Sequence, residues 1–230
     1  MNHHSFSRVN PKKRSPRLEA RLADNRAQIL DAARRLVAEG GWQAAQMSSV
    51  AHAAGLATGS VYRYFPSKAD LFAQVLAIVS QREVDVVRQI AAAGGLVRDR
   101  LADAVYAFSK RALRGRRLAF ALIAEPCEPE IDVQRLAYRK ALSEAVQRII
   151  EEGIRSGEFP EQDARTSAAC VVGAFMEALV GPLAPDEEHK TDEAEFLGHI
   201  VECCVRAVGA RMPPRGTGAP LRIVGKPESD

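Results

Sequence analysis

Apolar residues recur every three or four positions through most of the chain, and stretches of alternating Val, Ile and Thr of the strand type are missing. That periodicity predicts an all-α fold. A first helix is expected over Asp24 to Ala38, with Asp24 placed to accept from the exposed amides and Leu30, Ala33, Leu36 and Val37 on one stripe. Gly40-Gly41 should end it, and Trp42 can fold back over the stripe as a core plug. Two short helices follow, 47–54 and 58–64, separated by Gly55-Leu56-Ala57. The glycine permits the positive φ of a sharp helix-to-helix turn, and Leu56 can bury itself at the corner. A fourth helix starts after Pro66 with Ser67 as N-cap and Asp70 in a capping-box position, and Gly94-Gly95 stops it. Further helices are expected over 96–114, 117–124, 129–156, 161–182 and 192–211, with Pro129 and Pro160 at or near helix starts.

The pattern divides the chain into a flexible basic arm (1–23), a three-helix helix-turn-helix domain (24–72), a larger C-terminal helical domain (73–211) and a disordered tail (212–230). The arm carries Lys12-Lys13-Arg14, and the tail has four prolines and three glycines.

Net charge is only +3, but residues 1–80 carry 11 Lys or Arg against 5 Asp or Glu, whereas 81–230 carry 21 against 24. A basic excess confined to one end points to a polyanion partner there, or to a solvated basic surface with none. No run of about 18 uncharged apolar residues occurs, and the polar N-terminus lacks the apolar core of a secretory signal, so the expected location is the cytoplasm, without a membrane. Cys127, Cys170, Cys203 and Cys204 show no CxxC spacing and are expected as reduced thiols. Glycine-rich phosphate loops, a nucleophile elbow, a paired metal motif and strand-helix alternation are all missing, so neither catalytic residues nor cofactors are expected. His199, Cys203 and Cys204 offer two or three metal ligands without an evident fourth.

The most informative stretch runs from Val50 to Leu71. A supporting helix, a glycine-containing turn and a second short helix are the parts of a helix-turn-helix, whose second helix enters the DNA major groove. In that second helix Val61 and Phe65 can pack on Val50 and Ala54, leaving Thr58, Gly59, Ser60 and Arg63 on the other faces. Gly59 allows close approach to base edges, the hydroxyls of Thr58 and Ser60 donate or accept, and Arg63 can make a bidentate contact to guanine or grip a phosphate. Tyr62 and Tyr64 can hydrogen-bond phosphates or join Phe65 in the core. Lys68, near the positive N-terminus of the next helix, adds a phosphate contact.

The series Val50-Ala51, Ala54-Gly55, Gly59, Tyr62, Tyr64-Phe65 and Lys68, in this order and spacing and preceded by a helix from Asp24, resembles the N-terminal domain of the TetR family. The resemblance covers about residues 26–76. It implies a sequence-specific transcriptional regulator, a repressor by default, with Thr58, Gly59, Ser60, Tyr62, Arg63 and Tyr64 in the recognition helix, Ser48 touching DNA from the helix before it, and Lys68 on the backbone. Two positions depart from the pattern: Gln46-Met47 stands where the family often has Thr, and Ala57 where it often has Ser.

Beyond the resemblance, 161–182 carries Ala168, Val171, Val172, Phe175 and Leu179 on one stripe beside the small Ala169, Gly173 and Ala174, and 192–211 repeats the spacing with Phe196, Ile200, Cys203 and Ala207. Two such helices can form a four-helix bundle with their symmetry mates in a homodimer, or serve as intrachain core. The family implies a pocket for a small-molecule effector between Leu96 and Leu183. Phe108, Phe120, Tyr138 and Met176 are its candidate lining, a set that suits a largely hydrophobic ligand. Glu125, Arg135 and Arg139 could orient a polar end of that ligand or be surface charges. The expected partners are therefore a double-stranded, palindromic DNA operator, a second copy of the chain and the effector.

Overall fold

The computed structural model describes residues 15–185 and 192–210, and among them every regular element is a helix. In chain order these are α1 (Pro16–Ala44), α2 (Met47–Ala53), α3 (Thr58–Tyr64), α4 (Lys68–Ala91), α5 (Val97–Arg114), α6 (Arg116–Ile123), α7 (Pro129–Ser156), α8 (Ala164–Leu183) and α9 (Glu193–Ala207).

The first helix departs most from expectation. It begins eight residues before Asp24, because Ser15 accepts from the Leu18 amide and Pro16 follows as the first helical residue, where its missing N–H costs nothing. Residues 16–23, assigned from sequence to the flexible arm, are thus helical; residues 1–14 and the expected tail at 212–230 lie outside the described residues. Gly40-Gly41 interrupts the helix as expected, both residues having non-helical backbone (Gly41 at φ 70, ψ −166), and a short helical segment follows to Ala44. Ser67 caps α4 as expected, its Oγ accepting from the Asp70 amide at 3.0 Å. Asp163 and Asp192 cap α8 and α9 with their carboxylates.

Two cores result. One is built from α1–α3 and the first half of α4, with Val37, Trp42, Val50, Val61, Phe65, Phe72 and Leu76, and it also takes in Ala121 and Leu122 of α6 and Ile131 of α7. The other fills the space between the second half of α4 and α5, α7, α8 and α9. α4 crosses between them without a break, lying along α7. The boundary expected at residue 72 therefore falls inside a continuous helix.

By length and composition α8 is apolar enough to cross a membrane. Here it packs between α7 and α9. The stripe Ala168, Val171, Val172, Phe175 and Leu179 is buried within this chain, the second of the two roles open to it from sequence. The smaller residues Ala169, Cys170, Ala174 and Ala178 point outward, as do Gly198, Cys203 and Ala207 of α9.

Candidate functional site

The α2–α3 unit owes its shape to a short list of interactions. Val50, Val61 and Phe65 have no exposure at all, which fixes one face of α3 against α1 and α2. Gly55, at φ 66, makes the corner, and the Leu56 amide donates to the Ala51 carbonyl at 2.9 Å. Neither Gln46 nor Ala57, the two departures from the family pattern, makes a side-chain cap.

With one face buried, Thr58, Gly59, Tyr62 and Arg63 are exposed and Ser60 is half-buried on the other faces of α3; Ser48 is exposed on α2. Tyr62 is 48% exposed. Gly59 has an ordinary φ, and a Cβ added there would meet nothing within 4 Å, so no intrachain contact accounts for a glycine at this position. Two candidates are already engaged. The Tyr64 hydroxyl accepts from Asn25 Nδ2 of α1 at 3.0 Å. The Lys68 ammonium lies 3.4 Å from Glu128 and 5.0 Å above the Phe72 ring.

The N-terminal turns of α1 run beside α3. Leu18, Arg21, Asn25 and Arg26 share a groove with Ser60, Arg63 and Tyr64. Arg26 also lies 5.3 Å from the centre of the Phe65 ring and hydrogen-bonds Gln74 of α4. This extension of α1, which begins in the expected arm, thus carries Arg21 to the surface that holds Arg63.

A second site lies between α4, α5, α6 and α7, a cavity of about 100 Å³. Val79, Phe108, Ala112, Leu118, Ala119, Leu122 and Ile123 supply its apolar wall. Its polar members are Ser80, Glu83, Arg111 and Tyr138. Arg111 donates to Glu83 through Nε at 2.9 Å and Nη2 at 2.7 Å. The buried Ser80 Oγ has no hydrogen-bond partner among the described residues. Burial, reinforced by the Glu83 charge and opposed by Arg111, pushes the Tyr138 phenol up from its ordinary value, so it remains a neutral hydroxyl.

Of the expected lining residues, Phe108 and Tyr138 reach this cavity. Phe120 lies half-buried under the Arg117 guanidinium, 5.9 Å from it, and Met176 is buried in the C-terminal core. Neither lines the cavity. Glu125 and Arg135 do not orient a ligand there either. Arg135 caps the end of α6, donating to the carbonyls of Ala121 (2.7 Å), Leu122 (3.1 Å) and Glu125 (2.5 Å). Arg139 is exposed on α7. Ser80 could have been found from sequence: it is the polar interruption of the α4 stripe Leu76, Val84 and Val87.

Cavity and DNA-binding unit meet in α6. Its Leu118 and Leu122 face the cavity, while its backbone and ends hold the kink of α1. Trp42 Nε1 donates to the Ala121 carbonyl at 2.8 Å, and the Trp42 amide donates to Glu125 Oε2 at 3.2 Å. Arg117 Nη2 bridges Glu125 Oε1 at 2.5 Å and the Gly40 carbonyl at 3.1 Å. The Trp42 ring rests on Phe72 with centroids 4.5 Å apart. The plug expected from sequence is therefore also the bolt between the two halves.

His199, Cys203 and Cys204 do not converge: Cys204 is buried against the Val171 carbonyl while His199 and Cys203 face outward. No group of three or more metal-ligating side chains occurs among the described residues.

A buried scaffold that presents one short polar helix beside a basic helical extension defines a DNA-binding helix-turn-helix regulator. The sequence features of "Bacterial regulatory proteins, tetR family" match residues 29–75, and those of "Tetracyclin repressor-like, C-terminal domain" match 99–198, together more than half of the chain. The chain belongs to the TetR family. It is 40% identical over 78 residues to the HTH-type transcriptional repressor KstR of Mycolicibacterium smegmatis, a match spanning 34% of this chain and only 38% of that protein. It is 26% identical over 188 residues to the fatty acid metabolism regulator protein of Bacillus subtilis, spanning 79% of this chain and 94% of the relative. The fold is also that of the transcriptional regulator FadR from Bacillus subtilis in complex with stearoyl-CoA, with TM-score 0.68 and 24% identity over 79% of this chain and 98% of that one. These relatives are transcriptional regulators, not enzymes.

Proposed function

We propose that this chain is a homodimeric repressor that places α3 of each protomer in the major groove of a palindromic operator and leaves the DNA when a small, largely hydrophobic ligand enters the cavity behind α6. The observation that carries the reading is the division of α3: Val61 and Phe65 are wholly buried, while Thr58, Gly59, Tyr62 and Arg63 are exposed. Thr58, Ser60 and Arg63 read base edges across the close approach that Gly59 permits. Ser48, Tyr62, Tyr64 and Arg21 hold phosphates, and Lys68 joins them by leaving Glu128.

In this reading residues 24–72 carry DNA binding and 73–211 carry effector binding and dimerisation, with α4 common to both. The outward faces of α8 and α9, with Ala169, Ala174, Gly198 and Ala207, let two protomers approach closely and form a four-helix bundle. That bundle sets the recognition helices about one DNA turn apart, roughly 34 Å. A regulator of this kind works on the bacterial chromosome, hence in the cytoplasm. Release follows from the joint: a ligand that displaces α6 pulls on Gly40 and Trp42 through Arg117, Ala121 and Glu125, and so changes the spacing of the two α3 helices.

Selection of sites from a random DNA library by the purified full-length protein tests the proposal. Enrichment of a two-fold symmetric sequence is the expected result. Uniform binding of all sequences would leave an architectural DNA-binding protein instead.

A further inference from the structure

The cavity between α4, α5, α6 and α7 has four polar residues in a mostly apolar lining. Ser80 and Glu83 are three residues apart on α4 and so share a face, and both line the cavity with Arg111 and Tyr138. Glu83 and Arg111 neutralise each other through three contacts of 2.7–3.3 Å, so an anionic headgroup would have to displace Glu83 from its arginine. What the pair leaves over is two hydroxyls. Ser80 Oγ is buried with no hydrogen-bond partner among the described residues, and Tyr138, which brings the second hydroxyl, is only 8% exposed. Phe108, Leu118 and Leu122 belong to the apolar part of the same lining. The volume of about 100 Å³ is of the order of the cavity of about 150 Å³ that takes up benzene, and a long acyl chain does not fit it unless α6 parts from α4.

We infer that the effector is an uncharged, single-ring aromatic alcohol, a phenol in chemical class, whose ring lies on Phe108 and whose hydroxyl is held by Ser80 and Tyr138. Buried hydroxyls that expect a partner discriminate steeply against a ligand that lacks one, so benzene is a poor substitute. Benzoate, of similar size, brings a charge for which the site has no free cation. The inference rests on the proposed role of the C-terminal helices as effector domain.

Calorimetry and thermal unfolding of the full-length protein with phenol, benzene, benzoate and stearoyl-CoA test the class, and displacement of a selected operator by the same probes tests the effector role separately. Phenol is expected to bind with submillimolar Kd and to raise Tm, with benzoate and benzene at least about tenfold weaker. Ser80→Ala and Tyr138→Phe each weaken phenol about tenfold, and Ala119→Leu, which fills the cavity from α6, abolishes its binding even if a hydroxyl deletion fails to fold. No phenol binding, or tighter binding of benzoate, overturns the inference. So does displacement of the operator by stearoyl-CoA but not by phenol, a result that leaves the repressor reading standing. Phenol that binds without displacing the operator upholds the ligand class and removes the release step instead.

Discussion

Gly41→Ala isolates the joint between the two halves of the molecule. At φ 70, ψ −166 the backbone lies in a region that only glycine occupies readily, and forcing a Cβ there costs about 1–3 kcal/mol. The added methyl would also fall on the Arg117 guanidinium and against Glu125 Oε1. Arg117 must then release Gly40 and Glu125, although both charged side chains are largely shielded, at 23% and 13% exposure. Losing those charge-assisted bonds adds about 1.5–3 kcal/mol. The sum is about 2.5–6 kcal/mol, which for a chain of this size lowers Tm by roughly 5–24 °C. Trp42 is the chain's single tryptophan, so its fluorescence during urea or thermal unfolding reports on the joint itself, at one fixed protein concentration because the proposed dimerisation would contribute to the apparent stability. Removing the guanidinium as well should relieve part of the strain, making Gly41→Ala with Arg117→Ala less damaging than the two losses added together. A loss below about 1 kcal/mol, or strict additivity in the double variant, would refute the reasoning.

Three further outcomes are expected. Arg63→Ala should change which sequences are enriched by the protein, whereas Arg21→Ala should weaken binding to all of them and lower the salt-dependence slope by about one counterion, as measured by fluorescence anisotropy across salt concentrations. Glu152 is held below its ordinary 4.5 by the hydrogen bond and charge of Arg100, and Asp163 below its ordinary 3.8 by its hydrogen bond with Thr166. Because both are depressed, their stabilisation is present above those values and is lost as pH falls through the lower folded ones; urea midpoints should drop between pH 5 and pH 3, and Glu152→Gln should flatten that dependence. Ala174→Arg, on the outward face of α8, should convert dimer to monomer in light scattering and abolish operator binding while thermal unfolding stays cooperative.

Short-range signals carried the sequence reading furthest. α3 matches its predicted bounds because Gly55 and Pro66 punctuate it from either side, and α7 because Pro129 and Gly157 do the same. α1 was underestimated because Asp24 looks like a cap, yet an aspartate is tolerated inside an exposed helical turn when Ser15-Pro16 starts the helix earlier. For the recognition helix, the four-residue spacing of Val61 and Phe65 determines which face is buried and so which side chains are exposed. The cavity was harder to find, because an aromatic residue has the same helical phase whether it lines a void or fills a core. Phe108 stacks on Phe175, its ring 4.9 Å away, and also borders the cavity; Met176, one position further along α8, does not. The polar latch at Glu125 involves residues more than seventy positions apart, beyond the reach of any local pattern.

The uninterrupted passage of α4 between the two cores has a mechanical consequence. Its C-terminal end is pinned where Arg100 Nη1 donates to the Ala91 carbonyl at 2.6 Å. Ser80 lies about 16 Å from that pivot along the axis, and Lys68 about 35 Å. Such a rod is a lever with the effort applied near its middle, so a shift of about 0.5 Å at the cavity wall becomes roughly 1 Å where α4 meets the recognition unit, and about twice that between two symmetry-related protomers. On the proposed reading, a ligand no larger than one ring would thus move a DNA-reading surface far bigger than itself, and residues between pivot and tip that stiffen α4 would set how much of that motion arrives.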